Sequence, residues 1–207
     1  MTGREDGEAM AAYQTGRRMV LALIIAIVGA LLVFGGSEQN EHNHEAIESI
    51  GLALILVGIG GRLWSILYIG DRKSAEVVQT GPYSIMRNPL YFFSTVAAAG
   101  VGAQTGSIII AVATMVLCAI AFHVVALREE RYLKANLGAA YVDYAQRVPR
   151  FFPNPFLFRD ETSVTFAPRT FRITFLDGLV FLLAIPFFEA IELGQNSGAI
   201  PVLFRLY

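Results

Sequence analysis

Long blocks of apolar residues dominate this sequence and limit the folds that are open to it. Met19 to Gly36 is uncharged, Ala46 to Ile69 is almost uncharged, and Leu90 to Leu127 contains no Asp, Glu, Lys or Arg. A helix needs about 20 apolar residues to cross a bilayer. The first two blocks therefore predict one membrane span each. The third, which small and polar residues interrupt between Gly100 and Ser107, predicts two spans joined by a tight turn.

A last apolar block, Ile173 to Leu193, contains acids and Pro186, and it predicts a fifth span or, alternatively, a re-entrant or surface helix. The composition agrees with residence in lipid, since 55% of the residues are hydrophobic and only 16% are charged. We predict an all-α, polytopic transmembrane helix bundle with a four-helix core and a fifth C-terminal span. Its expected organisation is an N-terminal tail (1–18), a membrane core (19–170) and a hydrophobic extension (171–207).

The basic residues fall on one side of this predicted bundle. The loop from Ser37 to Glu45 has three acids and no Lys or Arg. The tail, the loop after the second span and the segment after Leu127 hold every basic residue except Arg62 and Arg205. The positive-inside rule therefore predicts that the N-terminus and these segments are cytosolic. A net charge of -1 gives no reason to expect nucleic acid as a partner.

The segment from Gly81 to Tyr91 has the features of a functional turn. Pro89 suits an early helix position, so Arg87 is predicted to lie at a helix N-terminus, where free N–H groups favour an anion. A carboxylate could bind there. The alternative is a structural turn in which Arg87 extends towards lipid phosphates.

Glu129 and Glu130 are predicted at the cytosolic end of the fourth span. Adjacent acids at a helix C-terminus repel each other and oppose the helix dipole, so a cation should compensate them. Arg128, Arg131 and Arg62 are candidates within the chain, and a cationic ligand is another. The alternative is a solvated helix end with pairs between successive turns.

Three histidines and one arginine need separate interpretation. Arg62 lies inside the second span, where an ionisable group usually faces the bundle interior, although it could also extend to the membrane surface. His123 shares a helix face with Glu130 and could accept a proton from an amine, or it could be an interior hydrogen-bonded residue. His42 and His44 lie in the acidic loop on the opposite side, and two such ligands are weak evidence, so no metal is predicted.

Taken together and in this order, the motifs resemble the membrane methyltransferase superfamily that includes isoprenylcysteine carboxyl methyltransferases and phospholipid N-methyltransferases. The resemblance covers roughly residues 58–153. It is carried by Arg62-Leu63-Trp64, Gly81-Pro82-Tyr83, Arg87-Asn88-Pro89-Leu90-Tyr91, Glu129-Glu130, and then Leu133, Gly138, Tyr141, Tyr144 and Val148-Pro149.

The resemblance implies a cytosolic cap that binds S-adenosylmethionine, with S-adenosylhomocysteine as the product. Arg87, Glu130 and His123 are then the expected catalytic residues, and Arg62 and Trp64 the expected substrate-binding ones. Asn88 stands where isoprenylcysteine enzymes commonly have His, which makes a prenylcysteine carboxylate less certain as the acceptor. The cofactor-binding residues expected from the resemblance are Gly81, Pro82, Tyr83, Arg87, Asn88, Pro89, Tyr91, Glu129, Glu130, Tyr141, Tyr144 and Arg150.

The expected reaction is methyl transfer to a lipophilic substrate at the cytosolic membrane face. The acceptor is open among a phospholipid amine, an isoprenoid or other lipid-like carboxylate, and a thiol. The expected partners are the bilayer and this substrate, and the C-terminal span is expected either to pack on the bundle or to bind a second copy of the chain. Two other functions stay open: an NADPH-dependent membrane reductase of the sterol-reductase type, and a non-enzymatic assembly module.

Overall fold

The computed structural model describes residue 33, residues 35–36, residues 41–70 and residues 76–205. The predicted tail and nearly all of the first predicted span lie outside these residues. The described residues are mainly helical. The α-helices are α1 (Glu41–Ile69), α2 (Pro82–Ile85), α3 (Pro89–Ala103), α4 (Ile108–Arg147), α5 (Pro168–Leu179) and α6 (Ala184–Asn196). Short 3-10 turns form at Pro155–Leu157 and Val180–Leu183.

Three helical stretches in the described part of the chain are long and apolar enough to cross a membrane. They are Asn43–Ile69, Ile108–Arg147 and Pro168–Asn196, and Pro89–Ala103 is a shorter apolar helix. The predicted class, a membrane protein built as a helix bundle, is therefore confirmed. The block from Leu90 to Leu127 forms two helices, α3 and α4, as predicted.

Three predicted boundaries need correction. α4 continues to Arg147, so the acid pair at residues 129–130 lies within this helix and not at its C-terminus. α1 begins at Glu41, so part of the predicted Ser37 to Glu45 loop is helical. At 1.5 Å rise per residue this helix exceeds the hydrocarbon thickness, and its polar first turn lies beyond the apolar part. The C-terminal helical stretch begins at Pro168, before Ile173, because Pro is well accommodated in a first helical turn.

The chain divides into two compact units, residues 39–189 and residues 1–38 with 190–207. In the described part of the smaller unit, β1 (Gly35–Gly36) pairs in parallel with β2 (Phe204–Arg205). The side-chain amide of Gln195 also donates to the carbonyl of Val33 at 2.8 Å. The predicted boundaries at residues 18 and 170 rest on sequence character and stay predictions.

Small residues allow α1 and α3 to approach closely in the larger unit. A Cβ atom added at Gly58 would lie 2.6 Å from Cβ of Ala97, and one added at Gly100 would lie 2.5 Å from the carbonyl oxygen of Gly51. Such distances are shorter than any real contact, so larger side chains would separate the helices. Helices in lipid associate largely through such close packing, because the lipid tails are as apolar as the side chains and the hydrophobic effect does not drive the helices together.

α4 changes direction at Gly138, whose φ is 56° and ψ is -133°. This conformation is open almost only to glycine. The residues after it run back towards the N-terminal end of α3, and Tyr141 and Tyr144 are buried there. The kink thus brings the end of α4 to the place where the motifs meet.

After α4 the chain forms an irregular segment, residues 149–159, which includes the 3-10 turn at Pro155–Leu157 and which we call the strap. It is held by backbone hydrogen bonds to the turn around α2: the amides of Arg87 and Gly81 donate to the carbonyls of Pro149 at 2.8 Å and Arg159 at 2.7 Å, respectively. The amide of Asn154 donates in turn to Ile85 at 2.9 Å. The strap therefore packs along α2 and the residues that precede α3.

Candidate functional site

An open cavity of about 100 Å³ lies between the start of α3 and the charged half of α4. Eight of the residues predicted for the cofactor line it: Tyr83, Arg87, Asn88, Pro89, Tyr91, Glu129, Tyr141 and Tyr144. Their assignment to a cofactor stays a prediction, but the fold brings them to one place.

Glu130 is buried behind this wall, with 9% of its surface exposed, and binds three side chains. Arg150 donates to both carboxylate oxygens at 3.0 Å, and its pKa is raised by this hydrogen bonding. Arg87 donates to Oε2 and Asn88 to Oε1, each at 3.2 Å. A buried carboxylate needs such partners, since desolvation of an unpaired charge is costly.

The cations that compensate Glu130 are therefore not those considered from the sequence. Arg128 and Arg131 are exposed, because residues adjacent in a helix point to different faces. Arg62 donates to the hydroxyl of Ser94 and not to the acid pair. The correct partners lie 43 and 20 residues away along the chain, at Arg87 and Arg150.

Glu129 has a different environment from its neighbour. It lines the cavity and accepts a hydrogen bond from the hydroxyl of Tyr91 at 2.7 Å. The Tyr91 ring is itself stacked on Phe122, with centroids 5.1 Å apart. One acid of the pair is thus bonded into the wall, and the other presents its carboxylate to the cavity.

Tyrosines form much of the remaining polar wall. The hydroxyl of Tyr144 donates to the carbonyl of Tyr83 at 2.8 Å. Burial raises the pKa of Tyr83 well above its ordinary value, so this hydroxyl is a neutral donor. Neither the Tyr83 hydroxyl nor Nε of Arg87 has a hydrogen-bond partner among the described residues. A buried donor without a partner costs about 1–3 kcal/mol, which a polar ligand in the cavity would offset.

The other predicted site residues lie outside the cavity lining. Gly81 and Pro82 form the turn that precedes Tyr83, and they position it. His123 is exposed on α4, where its ring lies 5.6 Å from that of Phe151. This places His123 on the outer face of the helix, so the expectation that it acts at the cavity has no support in the geometry.

Arg62 and Trp64 lie deeper in the membrane part of the bundle than the cavity. Arg62 binds Ser94, which follows Tyr91 by about one turn of α3, and its guanidinium lies 5.8 Å from the Phe181 ring. Trp64 packs against Phe93, with centroids 6.4 Å apart. These two residues therefore lie close to the cavity but do not line it.

Several lining residues were not predicted from the sequence. Leu133 and Leu137 follow Glu129 at intervals of four, so the periodicity of α4 could have identified them. Glu76, Val77 and Val78 belong to a loop without a recognisable motif. The full set of lining residues missed by sequence reasoning is Ile69, Glu76, Val77, Val78, Leu90, Leu133 and Leu137.

Comparison with known proteins supports one family. A family model described as phospholipid methyltransferase matches residues 47–140, from α1 to just beyond the kink at Gly138. The chain is 32% identical over 163 residues to protein-S-isoprenylcysteine O-methyltransferase B of Arabidopsis thaliana, covering 66% of this chain and 74% of the relative. No solved structure matches it significantly.

Two bacterial relatives match over more of the chain. The nickel-cobalt-cadmium resistance protein of Alcaligenes xylosoxydans xylosoxydans is 33% identical over 185 residues, which is 89% of this chain and 86% of the relative. The cobalt-zinc-cadmium resistance protein of Cupriavidus metallidurans is 30% identical over 188 residues, which is 90% of this chain and 87% of the relative.

Proposed function

The chain belongs to the family of integral membrane methyltransferases that includes phospholipid and isoprenylcysteine methyltransferases, and on that premise we propose that it transfers a methyl group from S-adenosylmethionine to a lipophilic acceptor. The proposed site is the cavity between α3 and α4. The excess of basic residues on this side of the bundle favours a cytosolic location for it.

The observation that carries this proposal is that the two adjacent acids have different surroundings. Arg87 and Arg150 bind Glu130 behind the wall, whereas Glu129 lines the cavity. A carboxylate held by Tyr91 suits a ligand with ammonium and sulfonium groups. The donors on Tyr83 and Arg87 that have no partner among the described residues suit the carboxylate of the same ligand.

The apolar part of the cavity lining supports the proposal for the rest of such a molecule. Val77, Leu133 and Leu137 offer apolar contacts for a nucleoside ring. S-adenosylmethionine, when bound, supplies an electrophilic methyl group on a sulfonium centre. The task of the protein is then to hold this group and the acceptor in line and to keep the site dry.

The same geometry bears on the acceptor. An ammonium acceptor must lose a proton before methylation, and Glu130 and His123 were the two bases suggested by the sequence. Both oxygens of Glu130 are engaged by other side chains, and His123 is exposed outside the cavity. We therefore propose an acceptor that needs no base, a carboxylate or thiolate on a lipophilic molecule. A low-dielectric site also favours reaction of an anion with a sulfonium, because charge is neutralised.

The test is calorimetric titration of the detergent-purified protein with S-adenosylhomocysteine. Saturable binding is expected, weakened by roughly 1.5–3 kcal/mol in Glu129→Gln, as for loss of a charge-assisted hydrogen bond. Arg128→Gln is the matched control, since Arg128 is exposed on the preceding position of α4. Binding of NADPH in place of S-adenosylhomocysteine would indicate the reductase, and binding of neither would indicate the assembly module.

The names of the two bacterial relatives suggest a biological role in addition to a reaction. We propose that this chain also contributes to metal tolerance, on the strength of 33% identity across 89% of its length. The test is growth of a deletion strain in graded cadmium, complemented with wild type or Glu129→Gln. Rescue by wild type alone would link metal tolerance to the cavity. Equal rescue by wild type and Glu129→Gln would show that metal tolerance does not depend on the cavity.

A further inference from the structure

The strap presents two phenylalanines to the surroundings of the protein. Phe156 is 96% exposed and Phe152 is 86% exposed, more than any other large apolar side chain in the described residues. Burial of a Phe side chain is worth about 1.5–3 kcal/mol. Two such side chains on one short segment form an apolar surface that needs a partner.

These side chains are held outward by a rigid turn. The backbone amide of Asn154 donates to the carbonyl of Ile85 at 2.9 Å, and the side-chain Oδ1 of Asn154 accepts from the backbone amide of Phe156 at 3.2 Å. Pro153 and Pro155 on either side restrict the backbone further. The exposure of Phe156 is therefore a property of an ordered structure.

Neighbouring rings show the depth of the strap relative to the membrane helices. The Phe151 ring lies 5.6 Å from His123, four residues before the end of the uncharged stretch of α4. The Phe158 ring lies 6.3 Å from Trp64, five residues before the end of α1. Measured along each helix axis, each contact lies about 6–8 Å before the end just named. The strap is thus level with the boundary between hydrocarbon and headgroups, where aromatic residues concentrate.

The charges at the end of the strap agree with this position. Arg159 is exposed immediately beyond the aromatic residues, where a guanidinium can reach lipid phosphates. The two acids that follow are engaged by the protein, since Asp160 accepts from the Tyr68 hydroxyl and Glu161 from that of Thr80. The Phe151 ring also connects the strap to His123, which is exposed on α4.

We propose that Phe152 and Phe156 insert into the interfacial layer of the bilayer and that the strap is a lipid-anchored support behind the cavity wall. The strap carbonyls of Pro149 and Arg150 accept from the amides of Arg87 and Asn88, and the Arg150 side chain holds Glu130. Anchoring therefore fixes the wall that carries these residues. The anchor itself is independent of the reaction, whereas its effect on catalysis rests on the proposed function.

The test is the membrane depth of single nitroxide labels in phosphatidylcholine nanodiscs, measured by collision with oxygen and with a water-soluble nickel chelate. Phe152→Cys and Phe156→Cys are labelled in a Cys118→Ala background, because Cys118 is the only cysteine. Ile120→Cys, 58% exposed in the uncharged part of α4, is the lipid control. Asn136→Cys, exposed on the charged part, is the water control.

Labels at residues 152 and 156 are expected to collide more with oxygen than with nickel, as at residue 120. Nickel collision as frequent as at residue 136 would overturn the anchor. Protection from both reagents with spin–spin broadening would also overturn it, since a second copy would then cover the strap. Titration of each labelled protein with S-adenosylhomocysteine tests the proposed function separately, because depth is measured without any ligand.

Discussion

Arg87 and Glu130 are 43 residues apart in the sequence, yet Nη1 of Arg87 donates to Oε2 of Glu130 at 3.2 Å. This contact joins the N-terminal end of α3 to α4 behind the cavity wall. Arg150 from the strap binds the same carboxylate, so three separate segments depend on one buried acid. The site is therefore a product of tertiary packing around Glu130.

Removal of Arg150 should destabilise the protein through the carboxylate that it leaves behind. Loss of one partner of a buried ion pair costs about 3–5 kcal/mol, and the partial exposure of Arg150 and the remaining bond from Arg87 reduce this to about 1–3 kcal/mol. The measurement is thermal unfolding of Arg150→Ala, Glu130→Gln and the double variant in detergent. The double variant should lose less stability than the sum of the losses in the two single variants. Strict additivity would mean that the pair is not coupled.

Tyr83→Phe should lower affinity for S-adenosylhomocysteine without lowering stability. The Tyr83 hydroxyl has no protein partner in the described structure, so its removal breaks no internal bond. Loss of one hydrogen bond to the ligand, about 0.5–1.5 kcal/mol, weakens binding by roughly two- to tenfold. Tyr144→Phe is the comparison, since its hydroxyl binds the Tyr83 carbonyl and its loss should lower stability. Unchanged affinity in Tyr83→Phe would remove Tyr83 from the site.

Gly138→Ala should destabilise the kink in α4 by about 1–3 kcal/mol, the usual cost of a residue held in a sparsely populated conformation. A Cβ atom there would meet nothing within 4 Å, so the effect is one of backbone strain alone. Gly60→Ala is the control, because Gly60 has equal space but lies within α1. Ala favours a helix, so this variant should be as stable as wild type or more so. Equal effects of the two substitutions would contradict the role of the kink.

The contact between Tyr68 and Asp160 should make stability depend on pH in the acid range. The hydrogen bond from Tyr68 lowers the pKa of Asp160. A carboxyl whose folded pKa is depressed contributes stability above its ordinary pKa, and this contribution disappears as the pH falls through the folded pKa. Wild type should therefore exceed Asp160→Asn in melting temperature at neutral pH and converge with it in acid. A constant difference at every pH would show that ionisation is not involved.

His123→Gln should retain both cofactor affinity and methyl transfer, because the ring is exposed and lies outside the cavity lining. Glu129→Gln should lose affinity in the same assay. The measurement is the rate against pH with a lipophilic carboxylate or thiol as acceptor. Loss of the acidic limb, the fall in rate at low pH, from the profile of His123→Gln would restore the histidine as a proton acceptor.

Much of the architecture could be predicted because hydropathy is a local property. The block from Leu90 to Leu127 was too long for one crossing, and the small and polar residues near Gln104 indicated the turn that separates α3 from α4. The motif around Arg87 and the acid pair also indicated where a site would form. The position of the helix start at Glu41 could not be predicted, since polar residues extend a helix beyond the membrane without an apolar signal.

The amino-acid sequence by itself determined that this protein crosses a membrane and that its functional motifs lie at one end of the bundle. Apolar length and charge distribution act over a few turns of chain, so they can be evaluated without a structure. Only the tertiary structure decided that Arg87 and Arg150 neutralise Glu130, that Glu129 faces the cavity and that His123 does not. Those outcomes depend on the kink at Gly138 and on the path of the strap. Electrostatic pairing follows distance in space, and packing between segments sets that distance.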